Sequence, residues 1–196
     1  MKKIVLIAVL ASLSFTGCKN KKEDNNDAVM PETPMMEAAE STMTPKMVTA
    51  TLNPKSDSNV SGTVTFEEEN GVVNMTAKMS GLEPGVHAIH LHESSDCSSP
   101  DGKSAGGHWN PTAQPHGKWG DANGYHKGDI GNFTADADGN ATVTFSTDEW
   151  CIGCDDPNKN IIGKGVIVHA GADDYTSQPS GAAGARVSCA GIIEVK

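Results

Sequence analysis

The sequence predicts an all-β domain of about eight short strands, folded as a sandwich or barrel with two long loops. Three observations carry that prediction. Glycine supplies 21 of the 196 residues, many of them between Gly81 and Gly191. From Met47 onward, short β-type runs alternate with turn residues in a helix-poor sequence. Two stretches, 93–129 and 170–185, are too long for hairpin turns. Long structured loops on a rigid β scaffold are where binding and catalysis concentrate.

The first elements precede the domain. Met1-Lys2-Lys3 is a basic head, and Ile4 to Phe15 is apolar apart from Ser12 and Ser14. This is the layout of a secretory signal over residues 1–17, and the apolar run is too short for a permanent membrane span. Thr16-Gly17-Cys18 resembles the bacterial lipoprotein processing box, with Phe15 where an aliphatic residue is more usual. We therefore expect an exported chain, anchored by lipid on Cys18 to a bacterial membrane and facing the periplasm or the outside. Export implies an oxidising compartment, where structural disulfides persist. Residues 18–46 are polar, carry Pro31, Pro34 and Pro45, and show no sustained period, which reads as a disordered tether. Met30, Met35, Met36, Met43 and Met47 cluster there; thioether sulfur suits Cu(I), but a tether also tolerates any residue.

The strands follow from residue 47. Met47–Leu52 is the first; Val60–Glu67 alternates Val60, Gly62, Val64 and Phe66 against polar neighbours. Glu69-Asn70-Gly71 makes a turn, because Asn-Gly accepts positive φ cheaply, and Val72–Met79 returns. Val86–His92 is another strand. Ile130–Ala135 and Ala141–Phe145 flank Asp136-Ala-Asp-Gly-Asn140, a hairpin turn. Ile161–His169 and Arg186–Val195 complete the set. The whole chain has 20% charged and 37% hydrophobic residues, as expected of a soluble globular body rather than a membrane bundle. Its formal charge of −10 argues against a nucleic-acid partner, since phosphate binding needs a basic surface.

The histidines carry the chemistry. All seven lie between His87 and His169. His90 and His92 share one face of a strand, so both imidazoles can reach one ion while Leu91 packs the other way. His87 is an odd number of residues from both and faces away. His108, His116, His126 and Asp129 fall in or at the end of the long loop, and three imidazoles with one carboxylate suit tetrahedral zinc. His169 ends the apolar strand Val166-Ile-Val-His169. Six imidazoles and a carboxylate exceed what one ion needs, so two adjacent ions sharing a ligand is the economical arrangement.

The blocks Gly85-Val-His-Ala-Ile-His-Leu-His-Glu93, Gly107-His-Trp-Asn-Pro111, His116-Gly117, His126-Lys-Gly-Asp-Ile-Gly-Asn132, Val168-His-Ala-Gly-Ala-Asp-Asp174 and Gly184-Ala-Arg-Val-Ser-Cys-Ala-Gly191 occur in order. Together they resemble the copper/zinc superoxide dismutases over roughly residues 47–196. The resemblance implies an eight-stranded Greek-key β-sandwich or barrel with a metal-binding and an electrostatic-type loop. It implies copper on His90, His92, His108 and His169. It implies zinc on His108, His116, His126 and Asp129, with His108 shared between the ions. Asp173 would link ligands of both metals, Arg186 would hold the anion beside copper, and Cys97 and Cys189 would form a disulfide. The substrate implied is superoxide, converted to oxygen and hydrogen peroxide. Bacterial members occur as monomers and homodimers.

Three departures and two alternatives complete the reading. The net charge opposes attraction of an anion, so a local positive funnel must win; Arg186 is one source, with Lys103, Lys118 and Lys127 as further candidates. The loop 175–185 is short and uncharged, as in the bacterial form of the family. The pair Cys151 and Cys154 could be a thiol redox motif, half a zinc site or a local disulfide. No βαβ pattern and no second C-x-x-C accompany it, which favours the disulfide. A non-catalytic copper- and zinc-binding lipoprotein, a metal store or carrier on the same fold, is the competing function; such a protein should lack a copper ligand or the arginine. An adhesion sandwich explains none of the histidines.

Overall fold

The computed structural model describes residues 45–193. The signal segment 1–17, Cys18, the tether up to Thr44 and the methionines before Met47 lie outside the described residues. Eight strands run in order: β1 Lys46–Pro54, β2 Ser61–Glu69, β3 Val72–Ser80, β4 Gly85–His92, β5 Gly131–Ala135, β6 Ala141–Thr147, β7 Gly165–His169 and β8 Arg186–Gly191. The one helical element among the described residues is a single 3-10 turn, Lys103–Ala105.

All pairings are antiparallel, and the order across the sheet is β5-β4-β7-β8-β1-β2-β3-β6. β1 belongs to both halves: Lys46–Leu52 pair with the return strand β2, while Asn53–Pro54 pair with β8. This hand-over curls the sheet into a nearly closed barrel. The two edges, β5 and β6, are joined by the turn at 136–140, where the Asp136 amide donates to the Asn140 carbonyl at 2.9 Å. Side by side, they complete the order β3-β6-β5-β4, a Greek key. The β2–β3 turn carries Asn70 and Gly71 at φ 52° and 79°, the doubly positive geometry of a type I′ hairpin.

Alternation sets the core. Val48, Ala50 and Leu52 of β1, Val64 and Phe66 of β2, and Val73, Met75, Ala77 and Met79 of β3 point inward, with exposed or half-buried neighbours between them. Burying one such side chain stabilises by about 1.5–3 kcal/mol. β4 and β7 break this pattern because both their faces are covered. Ile89, Leu91, Val166 and Val168 join the core, and His87 faces away from His90 and His92 as its register requires. The opposite faces of β4 and β7 lie under the loop that carries His108, so every residue from His87 to His92 is buried.

Two strand ends differ from the sequence expectation by more than two residues. β7 begins at Gly165 rather than Ile161, because 161–164 forms a turn closed by the Lys164 amide on the Ile161 carbonyl at 3.1 Å. Ile161 is still fully buried, so its apolarity reports packing and not ladder pairing. β8 ends at Gly191, although Ile192 still exchanges hydrogen bonds with Gly163 and Lys164.

Candidate metal centre

Two strands present three imidazoles on one face. His90 and His92 lie on β4, and His169 ends β7 beside it. A register shift between Val168 and His169 sets Arg186 opposite His169, leaving Val187 as the extra residue. Directly opposed antiparallel residues point to the same side, so this bulge aims Arg186 at the histidine face. His108 is the fourth member. It pairs with His92 as an isolated bridge, fixed by the Trp109 amide on the Leu91 carbonyl at 2.8 Å. Gly128 wedges between the same elements, its amide on the Trp109 carbonyl at 3.0 Å; a Cβ there would collide with the Leu91 carbonyl.

Donor atoms of His90, His92, His108 and His169 lie within 4.8 Å of one another, and so do those of His108, His116, His126 and Asp129. His108 is common to both sets. Its Nδ1 lies 2.8 Å from Asp129 Oδ1, while its ring centroid is 4.1 Å from that of His90 and 4.9 Å from that of His92. Asp129 also lies 3.0 Å from His116 Nδ1 and 3.2 Å from His126 Nδ1, and its Oδ2 accepts from the His126 and Gly117 amides.

The outer nitrogens are held from behind. Asp173 accepts from His90 Nε2 and His116 Nε2, each at 2.9 Å, and so connects one histidine of each set. His92 Nδ1 donates to the Gly106 carbonyl at 3.0 Å. One ring nitrogen of each of the six histidines is buried and makes no hydrogen bond of good geometry: His90 Nδ1, His92 Nε2, His108 Nε2, His169 Nε2, and His116 Nδ1 and His126 Nδ1 beside the Asp129 carboxylate. Buried polar atoms are normally paired, so six orphans converging on two points fit metal ligation.

The electrostatics agree with that fit. Burial holds His92 well below the ordinary imidazole range, and lowers His108 to about 4 and His169 to about 3. These rings therefore keep a free electron pair at neutral pH, the form a metal needs. Burial alone would raise Asp129 and Asp173, but their imidazole partners overcome it and hold both carboxyls well below the carboxylate range. His116, gripped by both carboxylates, is raised to about 9 against its own burial.

A cleft of about 390 Å³ opens onto this centre, lined by His92, His108, His126, His169 and Arg186 among others. Arg186 donates from Nη1 to the Gly102 carbonyl at 2.9 Å. Gly102 belongs to the loop segment tied to β8 by a Cys97–Cys189 disulfide, whose Cα atoms are 5.8 Å apart. Cys189, Ile167 and Ala105 form a small buried cluster beneath it.

The family model described as copper/zinc superoxide dismutase (SODC) matches residues 60–192. The chain belongs to the copper/zinc superoxide dismutase family. It is similar to a solved double mutant of a superoxide dismutase-like protein from Bacillus subtilis that carries two introduced histidines. The two share 31% identity over 74% of this chain and 97% of that one, with a TM-score of 0.67. Members of this family characteristically hold copper and zinc, the pair that the two donor sets suit.

Within the family frame, the structure brings together the six histidines read from the sequence as ligands, with Asp129, Asp173 and Arg186. Cys151 and Cys154 are joined as a local disulfide. The lysines divide: Lys103 pairs with Asp101 at 2.8 Å and Lys127 with Glu149, while Lys118 is exposed with no ion pair among the described residues. Several supporting residues escaped the sequence reading. The Asn132 side chain donates to the Asp173 carbonyl and accepts from its amide, each at 2.8 Å. Gln178 does the same to His116, both at 2.9 Å. Asn132 ends a quoted motif block and was findable; Gln178 lies in the short uncharged loop and carries no local signal. His87 was discounted as a ligand, yet its Nδ1 lies 3.0 Å from the His169 carbonyl, where it steadies the end of β7.

Proposed function

We propose that the protein is a superoxide dismutase, with copper on His90, His92, His108 and His169 and zinc on His108, His116, His126 and Asp129. The observation that supports this most strongly is the completeness of the six orphaned imidazole nitrogens beside an open cleft that also holds Arg186. A metal store on this fold has no need of the arginine. Copper bound there would supply the one-electron redox change, and zinc, which is redox-silent, would fix the shared ring. The reaction consumes two superoxide anions and two protons and yields oxygen and hydrogen peroxide.

The chain's own residues bind, orient and move a proton. Arg186 is held by Gly102 with its guanidinium in the cleft and attracts the small anion in spite of the negative net charge. Asp129 engages His108 at Nδ1, so that ring can take and return a proton at Nε2 alone, the atom facing the His90, His92 and His169 side. That is where the leaving peroxide needs its proton. Asp173 and the Gly106 carbonyl keep His90 and His92 in fixed tautomers. Two disulfides suit an exported protein, and the N-terminal signal ending in Thr16-Gly17-Cys18 supports a lipid anchor on Cys18.

The test is superoxide dismutation by the purified protein loaded with copper and zinc, beside His169→Ala. Fast dismutation that collapses in the variant supports the reading. A fully metallated protein that leaves superoxide untouched replaces it with the metal store.

A further inference from the structure

The segment Trp150-Cys-Ile-Gly-Cys154 is packed against the loop that carries His116, His126 and Asp129. Lys127 donates from Nζ to Glu149 Oε2, and Tyr125 donates from its hydroxyl to Glu149 Oε1 at 2.6 Å. One carboxylate therefore ties down both sequence neighbours of His126. Trp150 adds a second tie, with its indole Nε1 donating to the Lys127 carbonyl at 2.8 Å. The buried Trp150 ring also meets Trp119 edge-on at 5.9 Å, and Trp119 meets Tyr125 at 4.9 Å. Trp119 lies between His116 and His126, so both arms of the loop lean on two consecutive residues.

Those two residues are themselves anchored on the far side. Cys151 exchanges backbone hydrogen bonds with Lys159 and Ile161, at 2.8 and 3.0 Å, and its disulfide to Cys154 closes the intervening turn. The buried Ile152 donates its amide to Glu68 Oε2 at 2.8 Å, tying the turn to β2. No such contact reaches His90, His92 or His169 from this segment among the described residues.

We propose that Glu149 and Trp150 are positioning residues for the zinc set, and that the Cys151–Cys154 turn is the anchor that keeps them in place; this rests on the zinc assignment above. The stretch that holds His116 and His126 forms no strand, so side chains from outside it add to the backbone bonds at Trp109 and Gly128 in preorganising the ligand geometry. Removing those side chains lets His126 and Asp129 open more often, and zinc escapes faster while copper does not.

The experiment measures release of both metals from the copper- and zinc-loaded protein into chromophoric chelators. Trp150→Phe, which keeps a ring in the core, Glu149→Ala and the double variant Cys151→Ser/Cys154→Ser should each release zinc about tenfold faster, with copper release unchanged. Glu149→Gln keeps an acceptor for Tyr125 and should recover part of the loss. Phe66→Leu is the control for general destabilisation, because Phe66 packs on the same Trp150 ring from β2 at 6.2 Å; it should lower Tm without speeding zinc release. Zinc release changed by less than about threefold in the first three variants overturns the proposal, as does copper release rising in parallel or Phe66→Leu matching Trp150→Phe. Unmoved variants of a protein that holds zinc tightly remove this inference alone. A wild-type protein that holds no zinc removes the zinc assignment, and this inference with it.

Discussion

The proposed copper and zinc sets share a ring but are supported differently. Three of the four imidazoles on the copper side, His90, His92 and His169, ride on the adjacent strands β4 and β7, each paired on both sides. On the zinc side, His116, His126 and Asp129 all come from a stretch without regular structure. Strand register fixes which face the first group shares, and Asp173 and the Gly106 carbonyl then orient the His90 and His92 rings. The second group is placed by hydrogen bonds arriving from elsewhere: Gln178 on the His116 backbone, Asp173 on its ring, and Glu149 and Trp150 around His126. A ladder distributes its constraint over many backbone bonds, whereas a clamp is one side chain. The zinc set should therefore fail first when single residues are changed.

Gly181→Ala should break that comparison most sharply. Gly181 sits at φ +68°, and a Cβ there would overlap Asp173 Oδ1 and His116 Nε2. Zinc affinity should fall about 10–100-fold, measured by competition with a chelator of known affinity. Copper affinity should fall less, because His92 and His169 do not depend on Asp173. Equal losses would contradict the distinction between strand-borne and loop-borne ligands.

The two disulfides allow a second contrast. Cys97–Cys189 spans 92 residues and Cys151–Cys154 spans 3. Loop-closure entropy assigns the first about 4–5 kcal/mol of stability and the second about 2 kcal/mol, as upper values for unstrained bridges. Serine pairs at each site, compared by chemical denaturation at equal metal loading, should keep that ranking. Loss of the long bridge should also weaken the proposed dismutation, because the bridge fixes the loop whose Gly102 carbonyl holds Arg186.

A smaller effect concerns pH in the metal-free protein. His92, His108 and His169 are depressed below the ordinary value of 6.5, so the unfolded chain takes up protons more readily; their contribution is lost as pH falls from 6.5 toward about 4 and lower. His116 is raised to about 9, so its contribution is complete below 6.5 and is lost as pH rises through 9. Asp129 and Asp173, both depressed, lose theirs only below the ordinary carboxylate value of 3.8. Tm of the chelator-treated protein should peak near neutral pH and decline on both sides. A Tm that climbs steadily to about pH 9 would contradict the assigned ion pairing of His116.

Much of this was legible in the sequence. Alternation in Val60–Glu67 and Val72–Met79, and the Asn70-Gly71 and Asp136–Asn140 turns, reflect local chemistry, and β2, β3, β5 and β6 lie where those signals put them. The two-residue spacing of His90 and His92 fixed their common face for the same reason. Ile161 was assigned to a strand because apolarity reports burial, and burial does not distinguish a packed turn from a ladder. Gln178, Gly181 and Glu149 were invisible because each acts on a partner far away in sequence, 62 residues apart for Gln178 and His116. The bulge at Val187 was equally hidden, since nothing in Arg186-Val-Ser-Cys189 marks which residue is extra.

In the proposed centre one ring, His108, is shared by both metals. The most direct test of that sharing is the electron paramagnetic resonance of Cu(II) in the protein with cobalt(II) filling the zinc set. A shared imidazolate couples the two spins, so the Cu(II) signal should be strongly attenuated when cobalt is present and return when cobalt is replaced by zinc. An unperturbed Cu(II) signal beside stoichiometric cobalt would mean that His108 does not join the two sites.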